Sequence, residues 1–361
     1  MALGELNRAT LARQMLLSRQ KTPVLGAIER LAGLQAQLAR PPYIGLWSRV
    51  GGFQPEQLTR LARDRKVLRA TLMRATLHVV STRDYHVLRP TLQPMLSAAM
   101  HAVLKDRAKG LDLDGVTARA RALLDERPQT FEELRAALLR AWPKADERAM
   151  GYYVRTHLPL VQVPDADQRW GWPGVAAFAV ADSWIGKRVG EAADAKGLVL
   201  RYLAAFGPAT VRDAETWSYL RGLGPAFEAL RPKLRVFRDE RGRELFDLPK
   251  APRPPAATPA PVRFLPDYDN LLLGHLDRTR VVPEAHRARL ATKNLRLPPT
   301  FLVDGRVAGT WRTERARAAA LLVLEPFEAL SRKARAELTE EGEALARFVE
   351  SDAKTVEVRL G

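Results

Sequence analysis

The order of predicted helices and strands repeats along the chain, and this repeat limits the folds that the sequence can adopt. Residues 115–175 and residues 195–249 each give a helix, a short extended link, two further helices and a pair of strands. This is the order of a winged helix, in which a helix-turn-helix is completed by a two-stranded wing. Two such units in one chain favour a repeat over coincidence.

Local signals define the elements of these two units. In the first, Thr130 and Glu133 form the pattern of a capping box, and strands are predicted in LPLVQV (158–163) and RWGWPG (169–174). In the second, LRVFRDERGRELFDL (234–248) alternates on both sides of a charged Arg-Gly turn, which predicts a β-hairpin. Winged helices also mediate protein contacts, so a purely structural role for the array stays open.

The N-terminal residues fit a looser version of the same unit. Helices are predicted near residues 7–19, 23–35 and 54–65, and strands are predicted within KVLRATLMRATLHVV (66–80). We therefore predict an α+β protein that begins with three tandem winged helix-turn-helix units. Their predicted bounds are 1–100, 110–182 and 190–250.

A different composition marks the last third of the chain. Residues 251–262, APRPPAATPAPV, predict a Pro/Ala linker with little capacity to pack. Residues 263–361 predict a small C-terminal β-rich, barrel-like domain, with a charged helix near 331–350. Its strands are expected in FLPDYDNLLLGHLDRTRVV, TFLVDGRVAGTWR and TVEVRL.

The charge of the chain favours a polyanionic partner. Lys and Arg total 58 against 41 Asp and Glu, which gives a net charge of +17. A GC-rich genome would also enrich Arg without any functional reason. The chain has no Cys, which excludes disulfides, thiolate metal sites and cysteine nucleophiles.

Targeting and ligand signals are weak in the sequence. The N-terminal 20 residues lack the apolar core of a signal peptide, and no apolar run approaches the roughly 18 residues of a membrane span. No His spacing typical of a metal site occurs. We expect a cytoplasmic, nucleoid-associated monomer with no membrane partner, no metal and no cofactor.

Four stretches, in order along the chain, resemble the winged-helix DNA glycosylases of the AlkZ/YcaQ type. They are GLQAQLARPPYIGLWSRV, TLMRATLHVV, GRELFDLPKAPRP and FLPDYDNLLLGHLDRTR. The resemblance implies a C-shaped arrangement of the three winged helices around a basic concave surface. It also implies a monofunctional DNA glycosylase for base excision repair of alkylation damage, which hydrolyses the N-glycosidic bond of N7-alkylated purines in duplex DNA and leaves an abasic site.

The Gln-x-Gln motif of that family falls on Gln35, Ala36 and Gln37. By resemblance the two glutamines are catalytic, and the chain is similar to the branch associated with interstrand crosslinks, bulky adducts and self-resistance to alkylating natural products. Ala75 departs from the family pattern, which commonly has Gly at this position. The competing interpretations are a non-enzymatic DNA-binding regulator or lesion sensor, and a resistance protein that binds the drug itself.

The chemistry of two amides constrains the reaction. Positions i and i+2 share a side only in an extended segment, and Pro41 and Pro42 disfavour helix before them, so we expect the helix to end near Gly33 or Leu34. An amide cannot take a proton at neutral pH, so it can only orient water. This suits a cationic N7-alkylpurine, which leaves as a neutral base. Alternatively, the two amides satisfy backbone groups at a frayed helix end.

The resemblance also implies residues that contact DNA. His275 and Arg278 match a His-x-x-Arg segment on a hairpin that reaches into the duplex beside the lesion; alternatively, this segment is a solvated strand end. The further candidates for DNA contacts are Arg40, Arg69, Arg74, His78 and Arg280, of which Arg74 alternatively braces the fold. Because bulky lesions cannot be flipped into a tight pocket, we expect no deep base pocket at the glutamines.

Overall fold

The computed structural model describes residues 1–290 and 297–361 of the chain. The N-terminal elements are α1 (Leu3–Arg13), α2 (Val24–Arg30), β1 (Leu34–Gln35), α3 (Pro41–Trp47), α4 (Pro55–Arg63), β2 (Val67–Thr71), β3 (Leu77–Ser81), α5 (Thr82–Thr91) and α6 (Gln93–Leu104). The next group comprises α7 (Leu113–Glu126), α8 (Phe131–Ala141), α9 (Glu147–His157), β4 (Leu160–Gln162), β5 (Phe178–Val180) and α10 (Ala181–Ile185).

The remaining elements lie within residues 195–361. They are α11 (Ala195–Phe206), α12 (Val211–Ser218), α13 (Gly224–Leu230), β6 (Arg235–Arg238), β7 (Glu244–Asp247), β8 (Arg263–Leu265), β9 (Thr300–Val303), β10 (Arg306–Ala316), β11 (Ala319–Pro326), α14 (Arg332–Val349) and β12 (Thr355–Leu360). Among the described residues, no helix is both long and apolar enough to cross a membrane.

The helices of the second and third units agree with the sequence prediction because their signals are local. Thr130 caps α8, and its backbone N–H donates to the Glu133 carboxylate in the expected capping box. The hairpin of β6 and β7 pairs Arg235 with Asp247 and turns at Gly242, which has a positive φ of 74°. Both features depend on residues within a few positions of one another.

The strand predicted at RWGWPG is wrong. Residues 169–174 form turns, and β5 is the partner of β4 instead. Gly171 has a positive φ of 68°, which breaks an extended run. Trp172 is buried in the core of the N-terminal unit, and the ring of Trp170 lies edge-on to Tyr43 at 5.2 Å. The aromatic residues therefore pack one unit against another.

The N-terminal unit contains a helix that the sequence analysis missed. The helix α2 ends at Arg30, earlier than predicted, and α3 begins at Pro41 and Pro42. Proline suits the first turn of a helix because the backbone N–H it lacks would have no partner there. The strands of the first two units join in one antiparallel sheet of order β1-β3-β2-β4-β5.

The C-terminal domain is a sheet of order β12-β11-β10-β9-β8, with α14 packed against it. The turn at Asp304 and Gly305, the helix and the last strand agree with the prediction. The first predicted strand region does not, because only β8 is extended and residues 266–282 are irregular. A 3-10 turn at Asn270–Leu272, capped by the Asp269 side chain, interrupts this region.

Buried ion pairs connect distant parts of the chain. Arg13 on α1 contacts Asp247 at the end of β7, and Arg49 contacts Asp269, each with a closest N–O distance of 2.7 Å. The predicted linker also packs, since the Nε of Arg8 donates to the Thr258 carbonyl at 2.6 Å. Breaking a buried pair costs about 3–5 kcal/mol, so these contacts hold the N-terminal unit in place.

Candidate active site

The strand β1 carries Gln35, and Gln37 follows it in a bend. Gly33, with a φ of +91°, makes the turn before β1, and an added Cβ would lie 2.6 Å from Val80 Cγ1, so only glycine fits. Gln35 pairs with His78 on β3, and the Ala36 N–H donates to the Leu77 carbonyl at 2.7 Å. The predicted extended segment therefore includes Gln35, whereas a bend begins at Gln37, and the placement of both amides on one side stays a prediction.

Hydrogen bonds fix the orientation of both amides. The Gln35 Oε1 accepts from the Arg74 guanidinium at 2.6 Å, and the Gln37 Oε1 accepts from the Leu77 N–H at 2.8 Å. Gln35 is buried, whereas Gln37 is exposed. Each carbonyl oxygen keeps a second lone pair, and each Nε2 keeps its hydrogens. Gln37 therefore satisfies a backbone group, as the structural alternative expects, while retaining groups that can bind water.

Arg74 connects Gln35 to the third unit. Its guanidinium also donates to the Trp217 carbonyl at 2.5 Å, next to the end of α12. Burial lowers the pKa of Arg74 to about 10, and the nearby Arg278 acts in the same direction, yet the group stays cationic at neutral pH. Two roles were predicted for Arg74, contacting phosphate or bracing the fold. Its hydrogen bonds to Gln35 and to the Trp217 carbonyl fit the second role.

Ala75, where the family commonly has Gly, has a positive backbone φ, which explains why Gly is common there. Arg74 and Ala75 have φ values of +57° and +55° in the 3-10 turn Met73–Ala75. Glycine adopts this conformation freely, whereas a residue with a Cβ is strained by about 1 kcal/mol or more. The turn is therefore retained with Ala75 at a modest cost in stability.

Arg69 and His78 do not reach the surface, which contradicts their predicted contacts with DNA. Arg69 is 5% exposed and donates to the carbonyls of Ala36 and Gln37, at 2.9 and 3.3 Å. His78 is fully buried, and burial, followed by the charge of Arg74, lowers its pKa to about 3. Arg69 therefore fixes the backbone of the glutamine segment, and His78 packs beside Arg74, which binds Gln35.

The His-x-x-Arg segment also differs from the prediction, because it lies in the irregular region and not on a β-hairpin. His275 is 2% exposed, and its Nε2 lies 2.9 Å from the Phe206 carbonyl. Burial, followed by the charge of Arg280, lowers the pKa of His275 to about 3, so the ring is neutral at pH 7. Arg280 is buried as well and donates to the Pro208 carbonyl at 3.0 Å. Neither side chain is available to DNA in this structure.

Arg278 and Arg40 remain accessible among the predicted DNA contacts. Arg278 is exposed and lies near Arg74, and Arg40 is partly exposed three residues after Gln37. The charge of Arg278 therefore acts on Arg74, which donates to Gln35.

The C-terminal segment around Asp269 and Asn270 supports β1, which the sequence did not predict. The Asn270 side chain donates to the Gly33 carbonyl, directly before β1. The pair of Arg49 and Asp269 holds this segment against the end of α3. Arg49 and Asp269 each lie in one of the stretches that resemble the family, and this was the one sign in the sequence that they matter. The sequence does not show that they pair, because 220 positions separate them.

The cavity beside Gln35 is very small. It measures about 10 Å³ and is lined by Gln35, Pro42, Asp267 and Asn270, among others. This volume is on the order of one water molecule and excludes a purine base. That a lesion stays in the duplex remains a prediction. Within the described part of the chain, no group of three His, Asp or Glu side chains is placed to hold a metal ion.

The family model described as "DNA glycosylase AlkZ-like" matches residues 28–348, which is most of the chain. This chain belongs to the AlkZ-like DNA glycosylase family. The resemblance stated from the sequence is therefore confirmed, and the chain is an enzyme of the hydrolase class that acts on N-glycosyl bonds.

Two further comparisons, one by sequence and one by structure, match a DNA glycosylase from Streptomyces sahachiroi. A protein from this organism named "Interstrand DNA cross-link repair glycosylase" is 29% identical in an alignment 339 positions long, and the alignment covers 83% of this chain and 84% of that protein. The solved structure titled "Streptomyces sahachiroi DNA glycosylase AlkZ" aligns with a TM-score of 0.78 at 22% identity and covers all of both chains. This likeness establishes the mixed α and β fold for the AlkZ-like chain described here.

Proposed function

We propose that this AlkZ-like chain removes N7-alkylated purines from duplex DNA, including bulky adducts and interstrand crosslinks, and leaves an abasic site. The observation that carries the proposal is the Gln35 amide, which β1 and Arg74 hold in one orientation at the position of the family motif. The name of the Streptomyces sahachiroi relative, an interstrand DNA cross-link repair glycosylase, supports the crosslink as substrate.

The reaction needs little from the protein because the leaving base is already activated. An N7-alkylated purine carries a positive charge, and breaking its bond to C1′ releases a neutral base and leaves positive charge on the sugar. The free lone pair of the Gln37 carbonyl oxygen accepts a hydrogen bond from the attacking water, and the Gln35 amide fixes the sugar or the same water. This is catalysis by positioning and by oriented dipoles.

Binding to DNA relies on cationic side chains that stay accessible. The three winged-helix units form a C-shaped array whose basic surface contacts phosphates, with Arg278 and Arg40 beside the glutamines. Arg69 and Arg280, which are buried, and Arg74, which is partly exposed, act by fixing backbone and amide groups. Affinity for DNA then falls as salt rises, because phosphate contacts release counterions.

A single-turnover assay tests the proposal. A duplex with one N7-methylguanine is incubated with excess protein, the released base is quantified, and alkali then cleaves abasic sites. Base release with strand cleavage only after alkali is the expected result. Tight binding without base release, or preference for an undamaged palindromic sequence, contradicts it and indicates a regulator or lesion sensor.

A further inference from the structure

A groove with apolar walls lies between α6 and α12. It encloses about 990 Å³, and its lining includes Met95, Ala98, Ala99, Tyr219, Leu220 and Leu276. Arg212 and Arg221 add positive charge to it, while the Glu215 carboxylate accepts hydrogen bonds from the N–H groups of Gly222 and Leu223. A volume of this size is typical of sites for drug-sized ligands, which commonly measure about 300–1,000 Å³.

Two of its lining residues are large apolar side chains that face solvent. Tyr219 is 58% exposed and Leu276 is 51% exposed. Tyr219 ends α12 as its C-cap, with a left-handed φ of +61°, a conformation that commonly ends a helix. Its ring is therefore presented to solvent beside the apolar wall of the groove, where a ligand can stack on it.

The groove lies next to the candidate active site, and Arg74 stands between them. Both α6 and α12 pack on the 3-10 turn Met73–Ala75, which carries Arg74. Arg74 donates to the Trp217 carbonyl, two residues before Tyr219, and to the Gln35 amide. A group that projects from a lesion held at Gln35 has no room in the cavity of about 10 Å³ there, whereas the groove is open on the other side of Arg74.

We propose that this groove binds an apolar aromatic group carried by the alkylated purine, with Tyr219 stacking on that group. The inference rests on the proposed function and assigns a substrate subsite to it. The charges fit this occupant, because the cationic residues face the phosphates of the duplex while the apolar walls contact the adduct. The groove then selects among lesions by the size and polarity of the alkyl group.

The test compares two duplexes of the same sequence, one with N7-methylguanine and one with N7-(pyrenylmethyl)guanine. Single-turnover rates and affinities are measured for both, and the ratio of the pyrenylmethyl value to the methyl value is the readout. Ala98→Phe fills the groove at an accessible position of α6. Tyr219→Gly removes the ring and also relieves the positive φ, so it does not threaten folding.

We expect both variants to lower the ratio at least tenfold. The matched control is Ala118→Phe, which adds the same ring at an exposed alanine of α7 outside the groove and leaves the ratio unchanged. An unchanged ratio in Ala98→Phe and Tyr219→Gly overturns the inference, as does an equal fall on both duplexes. A concentration-dependent dimer that Ala98→Phe dissociates also overturns it, since the groove is then an interface between copies.

Failure of the proposed function gives a different result. If wild type releases neither base, the proposed function fails, but the affinity ratio of the two duplexes still tests the groove. A wild-type preference for the pyrenylmethyl duplex that both groove variants lose supports the subsite, and equal affinities contradict it.

Discussion

Replacing Gln37 by alanine separates its chemical role from its structural one. The side chain is exposed and makes one hydrogen bond, from the Leu77 N–H to Oε1 at 2.8 Å. Water can replace this acceptor, so the loss of unfolding free energy is about 1 kcal/mol or less. For a chain of this size the melting temperature then falls by no more than about 4 °C. The variant stays folded at assay temperature.

The expected effect on catalysis is larger. If Gln37 positions the attacking water, Gln37→Ala lowers the single-turnover rate on N7-methylguanine at least about tenfold, or about 1.4 kcal/mol of transition-state stabilisation. Affinity for the lesion duplex changes little, because one exposed amide contributes little to a phosphate-dominated interface. Base release is measured at saturating protein, so the rate reports the chemical step.

Gln57 provides a matched control. Its exposed Oε1 accepts from the Gln54 N–H, also at 2.8 Å, on the first turn of α4. Gln57→Ala therefore removes the same kind of bond and is expected to leave the rate unchanged. A wild-type rate in Gln37→Ala refutes the water-positioning argument. A fall in melting temperature well beyond that of Gln57→Ala shows that the loss of activity is structural.

Four further predictions follow from the contacts around the site. Arg74→Met leaves two carbonyl oxygens without their donor, so chemical denaturation should show a loss of about 2–4 kcal/mol in unfolding free energy, and base release should slow at least tenfold. His78 and His275 have pKa values of about 3 when folded, below the ordinary 6.5, so the unfolded chain binds more protons than the folded one in acid. Their stabilisation is complete above pH 6.5, and urea titrations should show it falling between pH 6.5 and 5 by about 1.4 kcal/mol per pH unit for each His, less steeply in His275→Gln. Asp269→Ala leaves a buried guanidinium unpaired and should cost about 3–5 kcal/mol in the same titrations, whereas a cost below 1 kcal/mol would contradict the burial of the pair. Arg278→Ala should reduce the slope of log affinity for DNA against log salt by about 1, measured by anisotropy, and an unchanged slope would remove this residue from the interface.

The sequence predicted the helices well where their signals are local. The capping box at Thr130 and the alternation that ends at Asp247 act over a few residues, so they specify α8 and the hairpin of β6 and β7 without help from the rest of the fold. RWGWPG and FLPDYDNLLLGHLDRTRVV failed as strands because their apolar residues pack between units. A periodic pattern records burial and does not by itself record an extended backbone.

The candidate site was predicted only in part. Gln35 and Gln37 follow from the family motif. The prolines do not extend the backbone before them as expected, because Arg40 has helical angles (φ −67°, ψ −43°) and residues 37–40 form a bend. The side chains that hold the glutamines could not be inferred, because Arg69, Arg74 and His78 gain these roles from the pairing of β1, β2 and β3. The sequence does not show how deeply a side chain is buried. An Arg or His of a DNA-binding protein is therefore easily predicted to contact DNA when it is in fact buried, as Arg69 and His78 are.

By itself, the sequence determined the family, the order of helices and strands, the cationic balance and the two glutamines, because these depend on residue types and short spacings. Only the tertiary structure decided which polar groups face DNA and which are buried within the fold. His275 meets the Phe206 carbonyl across 69 residues, and Arg49 meets Asp269 across 220. Such contacts decide which side chains are buried. Burial in turn decides whether a histidine is charged at neutral pH and whether an arginine can contact DNA.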